Sequence, residues 1–292
     1  MNIRTTATNP VGTSWATSTS IRVAVVAIAA VWTFPTVGVL ISSFRPPDDV
    51  ATSGWWTAFL HPFEATWTLT NYQEVLASEG MFDAFLNSLI VALPATVLPI
   101  AIATMAAYAL AQMRFRGQSV IVVTIVGLLV VPLQMTLVPL LALFNTTGLT
   151  GTYIAVWLVH AGFGLPLAIY LFYTFMADLP RDIFESAVVD GASHRDVYLR
   201  LVLPLIRPAI VAFAIFQFLW TWNDLLVALV FLGTGSDVAV LTARLNDLIG
   251  TRGQDWHLLT AGAFVTLALP LAVFLVFQRH FVRGLLSGSV KG

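Results

Sequence analysis

Six stretches of the chain are apolar for about twenty residues or more, and this repetition limits the fold before any motif does. They run from about Ile21 to Phe44, Ala84 to Met113, Ser119 to Phe144, Thr152 to Met176, Ile206 to Leu232 and Leu258 to Val282. A helix rises about 1.5 Å per residue, so about 20 apolar residues cover roughly 30 Å of hydrocarbon. Lipid offers backbone N–H and C=O groups no partners, so such stretches are expected to be helices. Composition agrees: 10% of residues are charged, where a soluble domain carries about 25%. A soluble domain of ordinary kind is excluded. The expected architecture is an all-α membrane protein, with a six-helix transmembrane domain over 21–282. A disordered Thr/Ser-rich tail at 1–20 and a short tail at 283–292 flank it. The first stretch is longer than a signal-peptide core and ends in Ser-Phe-Arg-Pro-Pro, so it is expected to be retained.

Charge sets the orientation. One side would hold the amino terminus, the 113–118 turn, the 177–205 connection and the carboxyl tail, with Arg207 at the edge, and so eleven of the 14 basic residues. The other side keeps Arg45, Arg244 and Arg252 against nine acids. Cytoplasmic loops are enriched in Lys and Arg, so both termini are expected in the cytoplasm. Two outer segments, 45–83 and 233–257, are too long for turns. The first carries Trp55, Trp56 and Trp67 and reads as an interfacial lid with short helices, although the rings could simply anchor the fold.

The cytoplasmic connection 177–205 is too charged to span a membrane and too patterned to be a loop. Pro180 suits the start of a helix. Ile183, Phe184, Ala187 and Val188 form one apolar stripe on it. Gly191 supplies a left-handed stop. Ser193 and Asp196 resemble a capping signal for a second helix, which Pro204 would close. Such a helix–bend–helix serves either as an interfacial strut or as a docking element.

The residues match a known pattern. Glu185-Ser186-Ala187, three residues, Gly191, nine residues and Leu201-x-Leu203-Pro204 resembles the EAA loop of ATP-binding-cassette (ABC) importer permeases, with Ser186 and Leu201 as mild departures. Phe85-Leu-Asn-Ser-Leu-Ile, Phe218-Leu-Trp-Thr-Trp-Asn-Asp224 and the terminus from Gln278 resemble the maltose-type carbohydrate permeases. Leu129-Val-Val-Pro-Leu-Gln134 and Ala228–Gly235 are most similar to the α-glucoside branch. The resemblance implies a type I importer transmembrane domain in the bacterial inner membrane. It also implies a second permease as heterodimer partner, two ATPase subunits, an extracytoplasmic binding protein and a sugar substrate. Coupling to the ATPase would then fall to Glu185, Ala187, Asp190, Gly191, Leu203 and Pro204, with tail contacts from Gly284, Gly288 and Lys291.

Energy must come from a partner. The sole lysine, Lys291, precedes only Gly292, so a phosphate-binding Gly-x-x-x-x-Gly-Lys-[Ser/Thr] loop cannot form. ATP and magnesium are therefore assigned to the partner ATPase, and no cofactor, metal or nucleic acid to this chain. No Gly-x-Ser-x-Gly elbow and no His-x-x-x-His pair occurs. Within the spans Asp224 is the one acid, beside Trp220, Trp222 and Asn223. An intramembrane carboxylate is a functional candidate by default, though it could equally make a structural hydrogen bond. At helical spacing Trp220, Asn223 and Asp224 share a face, which either lines the sugar cavity or packs on the companion permease. Asn87, Gln134, His160 and Gln217 read as packing or interhelical hydrogen bonds, and the span prolines as kinks. An ion-driven transporter would need further buried acid–base relays; another solute, such as a polyol or glycerol-phosphate compound, remains open.

Overall fold

A computed structural model describes residues 15–77, 79–233, 235, 237–249 and 255–287. Among them the secondary structure is helical throughout. α1 (Trp15–Ser43) begins inside the stretch expected to be disordered, because the Ala/Ser/Thr run before Ile21 extends the apolar helix backwards. Residues 1–14 lie outside the described residues. The outer segment folds into α2 (Pro47–Thr52), α3 (Trp55–Leu60) and α4 (Thr70–Ala77). Arg45, only 3% exposed, ties these to the end of α1. Its guanidinium donates to the carbonyls of Ser53 (3.1 Å) and Asp49 (2.9 Å), while Asn71 donates to the carbonyls of Ser43 (3.0 Å) and Arg45 (2.9 Å). Trp55 sits edge-on against Phe34, where Gly38 leaves room for the indole.

α5 (Met81–Gln112) is the central helix. Its buried face repeats small residues at spacing four: Ala84, Ser88, Ala92, then Ala103 and Ala107. Small side chains let helix backbones approach in a membrane, where no hydrophobic force drives association. α6 (Gln118–Leu128) and α7 (Leu133–Thr147) follow, and then α8 (Tyr153–Ala177), capped at its start by the Thr152 hydroxyl. α8 buries Ala155, Ala161 and Ala168 and forms with α5 the most extensive helix pair, while its Gly164 faces Gln217. α6 and α7 meet at about 100°, so the third expected stretch is a bent helix pair and not one continuous helix. Pro132 lacks an N–H and cannot continue the hydrogen-bond ladder from α6.

α9 (Arg181–Val189) and α10 (His194–Asp196) lead through a π-helical turn at Val197–Val202 into α11 (Leu203–Leu205). Pro204 therefore does not close the second helix of the connection. The wider turn before it absorbs the missing N–H, and a bend of about 69° follows at Ile206. α12 (Arg207–Trp222) comes next, then α13 (Leu226–Phe231), α14 (Leu241–Asp247) and α15 (Trp256–Ser287). The fifth expected span, continuous from 206 to 232, is thus interrupted at Asn223–Leu225. The last helix runs past the expected end at 282 as far as Ser287.

Three buried apolar clusters make up the core. One joins Tyr108, Phe172, Met176, Val202 and Phe213 at the end that carries α9. A second holds Val91, Phe144, Val156 and Phe231, and a third holds Met81, Trp222, Leu241 and Leu258. Trp222 donates to the Thr266 carbonyl (3.1 Å), which pins α12 to α15. Only 6% of the most apolar window of α1 is buried, and Trp32 and Val31 stand fully outward. Such a face needs lipid or another chain.

Candidate functional site

The connection between α8 and α12 is built as an anchored projection. Phe184, Ala187, Leu201 and Leu203 pack on the cluster around Phe172, so the stripe read from the sequence divides. Its Phe184 and Ala187 side turns inward, while Val188 (69% exposed) and Val189 (86%) face outward with Glu185 and Asp190. Gly191 has φ of +77° and Asp190 closes α9, so the bend lies where the glycine was expected. A side chain at Gly191 would meet nothing within 4 Å; the glycine is required by backbone conformation alone. Pro204 is exposed and Leu203 half-buried.

Polar side chains from α5 grip the second half of the connection, a feature without a local sequence signal. The Tyr108 hydroxyl lies 3.0 Å from His194 Nδ1, and the Thr104 hydroxyl 2.9 Å from that of Tyr198. Ser193 caps α10: its hydroxyl donates to the Asp196 carboxylate and accepts from the Asp196 N–H. The Ser193 hydrogen bond, ahead of the Arg200 and Arg195 charges, holds the Asp196 carboxyl below its usual range. A carboxyl depressed in the folded state stabilises above its unfolded value and loses that effect as pH falls through the folded one. The cap therefore persists throughout the neutral range and weakens only in strong acid.

The second candidate group is rearranged. α12 ends at Trp222, so Asp224 leaves the helical face it was expected to share with Trp220 and Asn223. Its Oδ2 accepts from the N–H groups of Val227 (2.9 Å) and Ala228 (3.3 Å), capping α13. The Thr242 hydroxyl donates to its carbonyl (2.8 Å). Asn223 is exposed and bonds back to the Leu219 carbonyl. What the fold brings together is Trp220, His160 and Asp224. The His160 ring lies edge-on to Trp220 at 5.0 Å, with its Nε2 3.6 Å from Asp224 Oδ2. Gln217, fully buried, donates to the carbonyls of Ala95 (3.2 Å) and His160 (3.0 Å) and so links three helices. Asn87 and His160 are likewise interior residues, whereas Gln134 is exposed. Gly284 lies on α15, while Gly288 and Lys291 lie outside the described residues.

Asp224 thus closes a helix end, at the edge of a small cavity that Ser88, Val156, His160 and Trp222 also line. Trp220→Ala is expected to lower recovery of the assembled complex several-fold, because it uncovers the His160 edge at a half-buried face. Normal yield combined with altered solute preference would place Trp220 on the translocation path instead.

The described residues thus form a helical bundle with several helices long and apolar enough to cross a membrane, two bent helix pairs and an anchored projection between α8 and α12. The family described as "Binding-protein-dependent transport system inner membrane component" matches residues 99–287. The chain belongs to that family and is a non-catalytic ABC importer permease subunit. It is 56% identical, over 93% of its length and 91% of the relative's, to the "Osmoprotective compounds uptake permease protein GgtD" of Synechocystis sp.. It is 44% identical, over 94% of its length and 97% of the relative's, to the "Alpha-glucoside transport system permease protein AglG" of Rhizobium meliloti. Its fold matches a chain of a bacterial ABC transporter that imports the acidic polysaccharide alginate. That match has a TM-score of 0.75 at 15% identity and covers 94% of this chain and all of the other.

Proposed function

We propose that the chain forms half of the translocation path for an α-glucoside or related oligosaccharide, in a heterodimer with a second permease. An extracytoplasmic binding protein would deliver the sugar and two ATPases would drive the cycle. The likeness to the α-glucoside permease supports the sugar class, at 44% identity over nearly the whole chain. The greater likeness to a permease for osmoprotective compounds supports a second reading, in which the cargo is a small compatible solute. Uptake by cells carrying the complete complex separates the two: α-glucoside uptake that an osmoprotectant cannot compete away supports the first, and the reverse supports the second.

In this reading both termini face the cytoplasm of a cell with the importer in its inner membrane, consistent with the bias of basic residues. α9 is the coupling element. Glu185, Asp190, Val188, Val189 and the exposed Pro204 offer the ATPase one charged and apolar face, and Ala187 and Leu203 hold that face to the bundle. Gly191 sets its angle. The Tyr108–His194 and Thr104–Tyr198 bonds give motion of the projection a direct route into α5. Gly284, Gly288 and Lys291 would place the tail against the ATPase pair.

A further inference from the structure

We propose that a cleft between the start of α5 and the 237–244 stretch is a subsite for a neutral polyhydroxy solute, carried by this subunit itself. The proposal deepens the importer reading above and rests on it. Asp83, Leu86, Asn87, Ile90, Asp237 and Arg244 line the cleft.

Its frame is fixed by two adjacent side chains of α5. Asn87 donates to the carbonyls of Asp237 (3.0 Å) and Ala239 (3.0 Å) and accepts from the Tyr153 hydroxyl (2.8 Å). Ser88 accepts from the Leu241 N–H (2.8 Å). The stretch bearing Asp237 is therefore stitched to α5 one turn beyond Asp83, and α14 carries Arg244 from the same anchor. Both carboxylates are exposed at the rim, and the Arg244 side chain keeps a quarter of its surface open.

The chemistry fits a sugar. Neighbouring hydroxyls can donate to a carboxylate and accept from a guanidinium, and charge-assisted hydrogen bonds are the strong ones. Leu86 and Ile90, each more than 40% exposed, offer apolar surface to the C–H face of the ring. Asp247 stands 3.6 Å from the Arg244 guanidinium, so Asp83, Asp237 and Asp247 against that one cation leave the cleft negative. A phosphorylated or uronic-acid solute would meet repulsion there, so the cleft favours neutral cargo by penalising anionic competitors.

The test uses the complete complex in proteoliposomes with its binding protein at a fixed saturating level. The probes are a neutral α-linked glucose disaccharide and a glucuronic-acid disaccharide. Removing one charged hydrogen-bond partner from each of two rim positions, in Asp83→Asn with Asp237→Asn, should raise the apparent KM for the neutral disaccharide by about tenfold. Discrimination against the acidic one should fall. Asp83 also favours the α5 N-terminus, so Leu86→Trp serves as a second variant that fills the cleft without altering charge. It too should raise the KM while complex recovery stays normal. Wild-type KM in the filled cleft, or unchanged KM and discrimination in the recovered Asn variants, would overturn the subsite. A wild-type complex that moves neither sugar with ATP would instead fail the importer reading.

Discussion

Glu185→Ala is expected to weaken ATPase binding by roughly 2–5 kcal/mol, the usual cost of truncating one partner of a desolvated charge pair, or at least about thirtyfold in affinity. Glu185 is exposed on α9 and has no ion-pair partner among the described residues, so its carboxylate is available to another chain. Gly191→Val should have a similar consequence by another route. At φ of +77° a β-branched residue is strained by more than the roughly 1–2 kcal/mol that left-handed backbone costs an ordinary side chain. The space around Gly191 is open, so no contact opposes a backbone shift that relieves the strain and turns α9 from the angle it holds here. Quantified ATPase co-purification and sugar uptake, measured side by side, check both variants. Wild-type values in each would remove α9 from the coupling role.

The other large effect lies inside the bundle, at Gly164→Val. A Cβ at this position would come within 2.4 Å of Gln217 Oε1. The amide is the end of a flexible side chain, but it is fully buried and bonded to two helices, so it can move only by breaking those bonds. Overpacking costs about 1–3 kcal/mol, and a stranded buried amide adds about as much again. Thermal unfolding of the purified complex should therefore fall by several degrees, with lower yield. Adding Gln217→Ala to Gly164→Val should recover part of the loss, a non-additive result that independent sites would not give. Equal melting of Gly164→Val and wild type would show that α8 and α12 are held apart more loosely than they pack here.

The connection between α8 and α12 was legible in the sequence because its signals are local. Pro180 at the start of α9, the glycine at 191 and the Ser193–Asp196 cap each act within four residues, and each stands where the pattern placed it. The break after Trp222 was not legible, although a signal was present. Asn-Asp within an apolar run is a helix-cap pair as well as a polar spot in a span, and hydropathy averaging hides the first meaning. The partners of Gln217 and Asn87 lie 57 to 152 residues away in the chain, so residue type told what they would do but not with whom. The grip of Tyr108 and Thr104 on the connection is invisible for the same reason. Pro132 marked a kink in the third span, but a proline reports only that the ladder is cut, not that the pieces diverge by 100°.

That divergence has a consequence for where this subunit can sit. The residues at the corner, Leu129, Val130 and Val131, satisfy their N–H groups by short i−3 bonds, and Val130 is 79% exposed. The carbonyls of Leu129, Val130 and Val131 accept no backbone N–H among the described residues, and hydrocarbon supplies no donor, at several kcal/mol for each group left bare. The corner must therefore meet moisture or another chain, not acyl tails. Since the sequence has no cysteine, one introduced at Val130 would be its sole thiol and would report directly, through a water-borne alkylating reagent, which of the two it meets.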